Sequence, residues 1–238
     1  MYLFYDKNIS GNFHVLNEEE SKHCVKVLRL NIGDEVFLTD GLGNLYKTII
    51  SEIYSKKVIL KIIEHTENYE KRNYNLHIAI APTKMNERFE WFVEKSVEIG
   101  IDEITPIICK NSERKIVKND RLNRVAQAAM KQSYKAYHPQ INEYINLEIF
   151  LNKNLNYQHK FIAHCFDIAE KQYLASILNK NSSYLILIGP EGDFTQDEIK
   201  LCKNAGFKEI SLGKSRLRTE TAGVVACNIV SVINSILL

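Results

Sequence analysis

Two loops in the last third of the chain carry the residue types from which a ligand site can be built. Ile188-Gly189-Pro190-Glu191-Gly192 closes one apolar run, and Leu212-Gly213-Lys214-Ser215-Arg216-Leu217-Arg218-Thr219-Glu220-Thr221-Ala222 closes the next. Each run ends in a glycine followed by polar groups, the pattern of a strand that stops and a turn that follows. Open α/β sheets bind ligands at carboxyl strand ends. A helix that starts after such a turn offers free N–H groups that can hold a carboxylate or a ribose. Two such loops, about twenty residues apart, point to one nucleoside-sized site and so to an enzyme.

The elements that must position these loops alternate in type. From Leu76 onward strands are expected over 76–81, 104–109, 160–165, 184–189 and 209–213, with helices over 85–99, 121–137, 195–205 and 219–238. Strands alternating with helices mark an α/β layer fold. Phe89, Phe92, Val93 and Val97 line one side of the first helix, with Gly100 as its C-terminal cap. Thr195 followed by Glu198 forms a capping box, and Gly206 ends that helix. The last helix carries Val224, Val225, Ile229, Val232, Ile233 and Ile236, which suits a dimer contact or a core helix equally.

Residues 1–70 read differently. Asn17 caps a short helix continued by the apolar Cys24, Val27 and Leu28. A hairpin follows over 35–39 and 45–53 through the turn Asp40-Gly41-Leu42-Gly43, then a strand over 57–63. Short strands with glycine-bearing turns suggest a small barrel. The polar stretch 65–73 places a domain boundary there, giving domains 1–70 and 74–238.

Composition excludes several classes. The chain has 238 residues, 45% hydrophobic and 25% charged, as in an ordinary globular protein. Cys24, Cys109, Cys165, Cys202 and Cys227 are scattered with no C-x-x-C pair, against a disulfide framework or a zinc site. Cys165 reads as a buried, inert thiol. No signal segment or membrane-length apolar run occurs, so a cytoplasmic location and no membrane partner are expected. No G-x-G-x-x-G follows a strand and opens a helix, which disfavours a dinucleotide oxidoreductase. The net charge of +2 is uneven: residues 110–135 carry eight Lys/Arg against two acidic residues. Such a block suits a polyanion partner, and a solvated helix face explains the charge as well.

These residues resemble a known family. Ile-Gly-Pro-Glu-Gly after one strand and Leu-Gly-x-x-x-Leu-Arg-Thr-Glu-Thr-Ala after the next resemble the SPOUT methyltransferases. Further segments narrow the resemblance to the ribosomal RNA small subunit methyltransferase E family of uracil-N3 methyltransferases. They are His23-Cys24-Val25-Lys26-Val27-Leu28-Arg29 with Gly33-Asp34, Lys84 with Glu87-Arg88-Phe89, Ser112-Glu113-Arg114, and Ala128-Ala129-Met130-Lys131-Gln132-Ser133. Asp193 stands where many members have a third glycine, and Ser215-Arg216 where Arg-Ile is common.

The resemblance implies a PUA-like RNA-binding β-barrel followed by a trefoil-knotted, mostly parallel α/β domain. It also implies S-adenosylmethionine as methyl donor without a metal, small-subunit (16S) ribosomal RNA or the 30S subunit as substrate, and an obligate homodimer. Cofactor binding then falls to Leu187, Gly189, Glu191, Gly192, Leu212, Gly213, Leu217 and Thr221. Uracil N3 carries a proton that must leave, so the site needs a base or a cation. Glu220, Arg218 and Arg114 are the candidates, although Arg218 and Glu220 can equally pair with each other. A paired N3 is hidden, so the target must be unpaired or flipped out. RNA contacts are expected from Arg29, Lys115, Arg121, Arg124 and Lys131, with stacking by Tyr134 and Tyr137 a lesser expectation. His164 touches the cofactor or simply ends its strand. A knotted enzyme acting on tRNA ribose 2′-O, and a non-catalytic rRNA-binding assembly factor, remain alternatives.

Overall fold

The computed structural model describes residues 2–54, 57–153, 155–166 and 171–235. The chain divides into two compact units, Met1–Lys71 with Gln127–His138, and Arg72–Ala126 with Pro139–Leu238.

In the first unit β1 (Leu3–Tyr5), β2 (Phe13–Val15), β3 (Glu35–Thr39), β4 (Leu45–Ile53) and β5 (Val58–Thr66) form a half-barrel in the order β1-β3-β4-β5-β2. Alternation along β3 and β4 buries Val36, Leu38 and Ile50 against Phe4, Leu16 and Leu60. Helix α1 (Glu18–Lys22) starts where expected, Asn17 accepting a hydrogen bond from the Glu20 N–H at 2.9 Å. It continues into a π-helical turn, His23–Val27, closed by Leu28 N–H to His23 C=O. The wider turn breaks the expected spacing of Cys24, Val27 and Leu28. Cys24 stays buried, while Val27 is 66% exposed.

The helix expected over 121–137 is α3 (Asn119–Gln132), which stops five residues early. Tyr134 turns the backbone to φ +57°, and residues 136–138 then bond to the hairpin turn. Gly43 N–H donates to Ala136 C=O at 2.9 Å, and His138 N–H to Gly41 C=O at 2.9 Å. A Cβ on Gly43 would lie 2.4 Å from the Tyr137 ring, so the glycine makes the seat for that ring. Tyr137 is therefore a packing residue, as tyrosines at helical spacing commonly are.

The second unit is α/β. A parallel sheet runs β11 (Gln172–Tyr173), β13 (Lys208–Ser211), β10 (His159–Ala163), β12 (Ser183–Ile188), β6 (Asn75–Ile80), β7 (Glu103–Ile108), β8 (Gln140–Ile141), and β9 (Ile145–Asn146) also pairs with β7. Strands buried on both faces explain the continuous apolar runs seen in sequence: Leu185, Ile186 and Leu187 are all fully buried. Helices α2 (Asn86–Ile99), α6 (Gln196–Asn204) and α7 (Thr219–Ser235) match the expected segments, and short α4 (Leu147–Leu151) and α5 (Leu174–Ile177) were not foreseen. Ile236 and the rest of the last helix's expected end lie outside the described residues. Among the described residues no helix is long and apolar enough to cross a membrane.

Helix α7 packs on α2 through Gly223. A Cβ there would lie 2.5 Å from Phe92 and 2.9 Å from Ile80. Alanine gains about 1 kcal/mol in helix propensity, whereas overpacking costs about 1–3 kcal/mol. Gly223→Ala is expected to lower the denaturant midpoint; an unchanged or raised midpoint would show that Phe92 yields freely.

At the amino ends of β6 and β7, His77 is buried in a polar network. Its nitrogens meet Tyr157 Oη at 2.9 Å and Thr105 Oγ1 at 2.7 Å, while Asn142 donates to Thr105 Oγ1 at 2.7 Å and to Glu103 at 2.6 Å. Burial pushes the imidazole down to about 4, against the opposing pull of Glu103. The unfolded chain therefore binds this proton first, and the stability due to neutral His77 is full above about pH 6.5 and lost as pH falls toward 4. By pH 5 the loss is expected to reach ~2 kcal/mol. Denaturation of the native chain and His77→Gln at pH 7.5 and 5 tests this, since a shared pH slope would exclude His77 as its source.

Candidate active site

The carboxyl ends of β10, β12 and β13 open into a cleft of about 1010 Å³. Both loops singled out in sequence border it. After β12, Gly189 admits the Phe194 ring, which a Cβ would meet at 2.9 Å. The chain then turns through Asp193 N–H to Pro190 C=O, with Asp193 at φ +61°. Aspartate tolerates this left-handed conformation better than most residues do. Its carboxylate accepts from Phe194 N–H at 2.8 Å and from Cys165 N–H at 2.7 Å, tying the loops after β12 and β10 together. Cys165 is exposed, contrary to expectation, because β10 ends at Ala163 and leaves it in the loop.

After β13 the chain turns at Gly213, φ +137°, where a Cβ would meet nothing but would strain the backbone. Ser211 Oγ donates to the Gly213 carbonyl at 3.0 Å. The N–H groups of residues 214–217 have no hydrogen-bond partner among the described residues. The segment then returns across β10 to the end of β12, where buried Thr219 donates Oγ1–H to Gly189 C=O at 3.0 Å. This doubling back is what a knotted chain requires.

Glu220 is buried at the first turn of α7 and lines the cleft. Its partner is Arg88 of α2, with Nε 3.8 Å from Oε1, and not Arg218. Arg218 lines the cleft exposed, with no ion pair among the described residues. Arg114 does not line it: Nε donates to Thr83 C=O at 3.1 Å and Nη2 to Lys84 C=O at 2.6 Å. Glu191 grips the same turn, accepting from Lys84 N–H at 2.8 Å. Arg114 and Glu191 thus hold the turn from which α2 carries Arg88 to the cleft.

Of the expected ligand residues, Gly189, Glu191, Leu212, Gly213 and Leu217 border the cleft together. Leu187 is sealed in the core, Gly192 lies against Asn111, and Thr221 is not among the residues that line the cleft. Arg88 and Lys171 line the cleft and were not among the expected site residues; His164, expected to touch the cofactor or simply to end its strand, is a lining residue too. A signal for Arg88 existed: α2 begins just past the carboxyl end of β6, and Phe89, Phe92 and Val93 occupy its core face.

Residues 70–231 match the RNA methyltransferase domain family, and residues 16–63 the RNA methyltransferase PUA domain family. Ribosomal RNA small subunit methyltransferase E of Mesomycoplasma hyopneumoniae is 31% identical over 229 residues, covering 94% of this chain and 96% of that protein. The chain belongs to the ribosomal RNA small subunit methyltransferase E family. The solved structure of a probable rRNA-methyltransferase from Porphyromonas gingivalis is 38% identical, with a TM-score of 0.91 over 99% of both chains. The Neisseria gonorrhoeae methyltransferase E, solved bound to S-adenosyl methionine, is 26% identical with a TM-score of 0.84 over 95% of each.

For a methyltransferase E chain the basic block matters as a possible RNA surface, and its cations are not equivalent. Lys131 Nζ is 2.6 Å from Glu20, Lys135 is 3.7 Å from Glu70, and Arg121 donates to Glu90 at 2.9 Å. Lys115 and Arg124 are exposed with no ion pair among the described residues, and exposed Arg29 sits at φ +57° just past the π-helical turn. Lys115→Ala and Arg124→Ala are expected each to reduce the salt slope of RNA binding by about 1. Lys131→Ala is expected to leave the slope unchanged and to lower thermal stability. Equal slope changes for all three would mean that Lys131 leaves Glu20 for RNA.

Proposed function

We propose that this chain is an S-adenosylmethionine-dependent methyltransferase that methylates N3 of a uridine in small-subunit ribosomal RNA, and that it works as a homodimer. The observation that carries the reading is the cleft at the carboxyl ends of β10, β12 and β13, lined by residues 214–217, whose N–H groups have no hydrogen-bond partner among the described residues. Its donor set suits a nucleoside ligand: Ile188, Ile210, Leu212 and Leu217 are apolar walls for a flat base, and backbone groups are left over for polar edges. When bound, S-adenosylmethionine supplies an electrophilic methyl group on a sulfonium. Methyl displacement is in line, so what the protein must contribute is mainly position.

The chain's own groups have separable tasks in this reading. Glu220 accepts the N3 proton, and the 3.8 Å contact with Arg88 orients its carboxylate. Arg218 stabilises the negative charge that develops on the uracil. Thr219, bonded to Gly189, keeps both side chains at the cleft. Arg114, held on the Thr83 and Lys84 carbonyls, positions the loop rather than touching the base. Support for the dimer is the family together with α7, whose Val232 is 47% exposed.

The test is methyl transfer from labelled S-adenosylmethionine to unmethylated small subunits, with mass analysis of the digested nucleosides. N3-methyluridine is expected, and a ribose-methylated product would overturn the assignment of the base. Glu220→Ala is expected to bind RNA normally and to lose about 100-fold or more in turnover; normal turnover would remove its role as base.

A further inference from the structure

The cleft at the carboxyl ends of β10, β12 and β13 carries more positive charge than its own carboxylates balance. Among the described residues five cations line it, Arg88, Lys171, Lys214, Arg216 and Arg218, against three carboxylates, Glu191, Asp193 and Glu220. Each carboxylate is already engaged within the protein. Glu220 faces Arg88, Asp193 accepts from the N–H groups of Phe194 and Cys165, and Glu191 accepts from Lys84 N–H. Lys171 is engaged too, donating to the His164 carbonyl at 2.8 Å. Lys214, Arg216 and Arg218 are left over. All three are exposed, and their side chains make no hydrogen bond or ion pair among the described residues.

The fold does not account for these cations. Arg216 and Arg218 directly precede the N-terminus of α7, where the helix dipole is positive and disfavours a cation. The methyl donor does not account for them either. S-adenosylmethionine carries a sulfonium and an ammonium against one carboxylate, so surplus positive charge in the cleft repels it. An RNA substrate does account for them. A uridine whose base enters the cleft brings a phosphodiester on each side of its ribose to the rim, and each carries a full negative charge. Arg218 is assigned to the charge on the uracil, which leaves Lys214 and Arg216 for the strand.

We infer that Lys214 and Arg216 form a phosphate clasp at the rim of the cleft, holding the RNA backbone beside the target uridine. The inference rests on the function proposed above and gives the α/β unit an RNA contact of its own, separate in sequence from the basic block. The task of both side chains is to position the strand; the chemistry stays with Glu220 and Arg218.

The experiment compares the full-length chain with the double variant Lys214→Ala, Arg216→Ala and with the charge-conserving Lys214→Arg, Arg216→Lys. Binding to unmethylated small subunits is measured over a series of salt concentrations, with S-adenosylmethionine affinity and methyl-transfer kinetics alongside. The double alanine variant is expected to bind subunits about tenfold more weakly, with a salt slope reduced by about 2. Its KM for subunits is expected to rise by more than its kcat falls, and its affinity for S-adenosylmethionine to stay the same or increase. The charge-conserving variant is expected to keep the native salt slope. An unreduced slope in the alanine variant would overturn the clasp, as would a kcat loss larger than the KM rise. Weaker S-adenosylmethionine binding would overturn it too, by placing these cations on the cofactor carboxylate. Each of these results leaves the methyltransferase reading standing. A native chain that transfers no methyl group to the subunits would overturn that reading, and the clasp with it.

Discussion

The hydrogen bond from Thr219 Oγ1 to the Gly189 carbonyl is the tie on which the cleft depends. Strand β13 lies on the far side of β10 from β12, so nothing in the sheet brings the loop after β13 to the loop after β12. A buried hydroxyl bonded to a carbonyl that would otherwise go unpaired does so. It is stabilising chiefly because breaking it would leave two buried polar groups without partners. Once it is made, α7 begins at the end of β12, Glu220 faces Arg88, and residues 212–218 arch over the strand ends. Asp193 makes the matching tie on the other side, through the Cys165 N–H.

Polar groups cluster at both ends of the parallel sheet. At the amino ends of β6 and β7, His77, Thr105, Asn142, Tyr157 and Glu103 satisfy one another, and burial raises the Tyr157 hydroxyl pKa as well as lowering that of His77. A closed network of this kind stiffens the unit and leaves nothing to offer a ligand. At the carboxyl ends the backbone donors of residues 214–217 and Nδ1 of His164 have no hydrogen-bond partner among the described residues.

Charge follows the same logic. The basic block looks uniform as a string, yet Lys131, Lys135 and Arg121 are each neutralised by a carboxylate distant in sequence, and Arg114 is consumed by two carbonyls. A cation held 2.6 Å from a buried carboxylate contributes to the fold, and drawing it away to phosphate would strand Glu20. The field available to a polyanion is therefore narrower than the net charge of the block suggests.

The sequence by itself determined the fold class, the order of the principal strands and helices, and the two loops that border the cleft. Those features are local: apolar runs, the Thr195 capping box, and glycines that must turn the chain. The resemblance carried by those loops also reached the right family. Short-range patterns were less legible where backbone bonding departed from regular geometry, as at the π-helical turn that exposes Val27 and at Tyr134, where α3 gives way to pairing with the Gly41–Gly43 turn. Partner choice was not legible at all. That Glu220 meets Arg88 instead of Arg218, that Arg114 turns to the backbone, and that His164 meets Glu209 are decided by residues brought together from 30 to 132 positions apart. A side chain's chemistry depends on which groups desolvate it and which hydrogen bonds it is offered, and only the tertiary structure sets those.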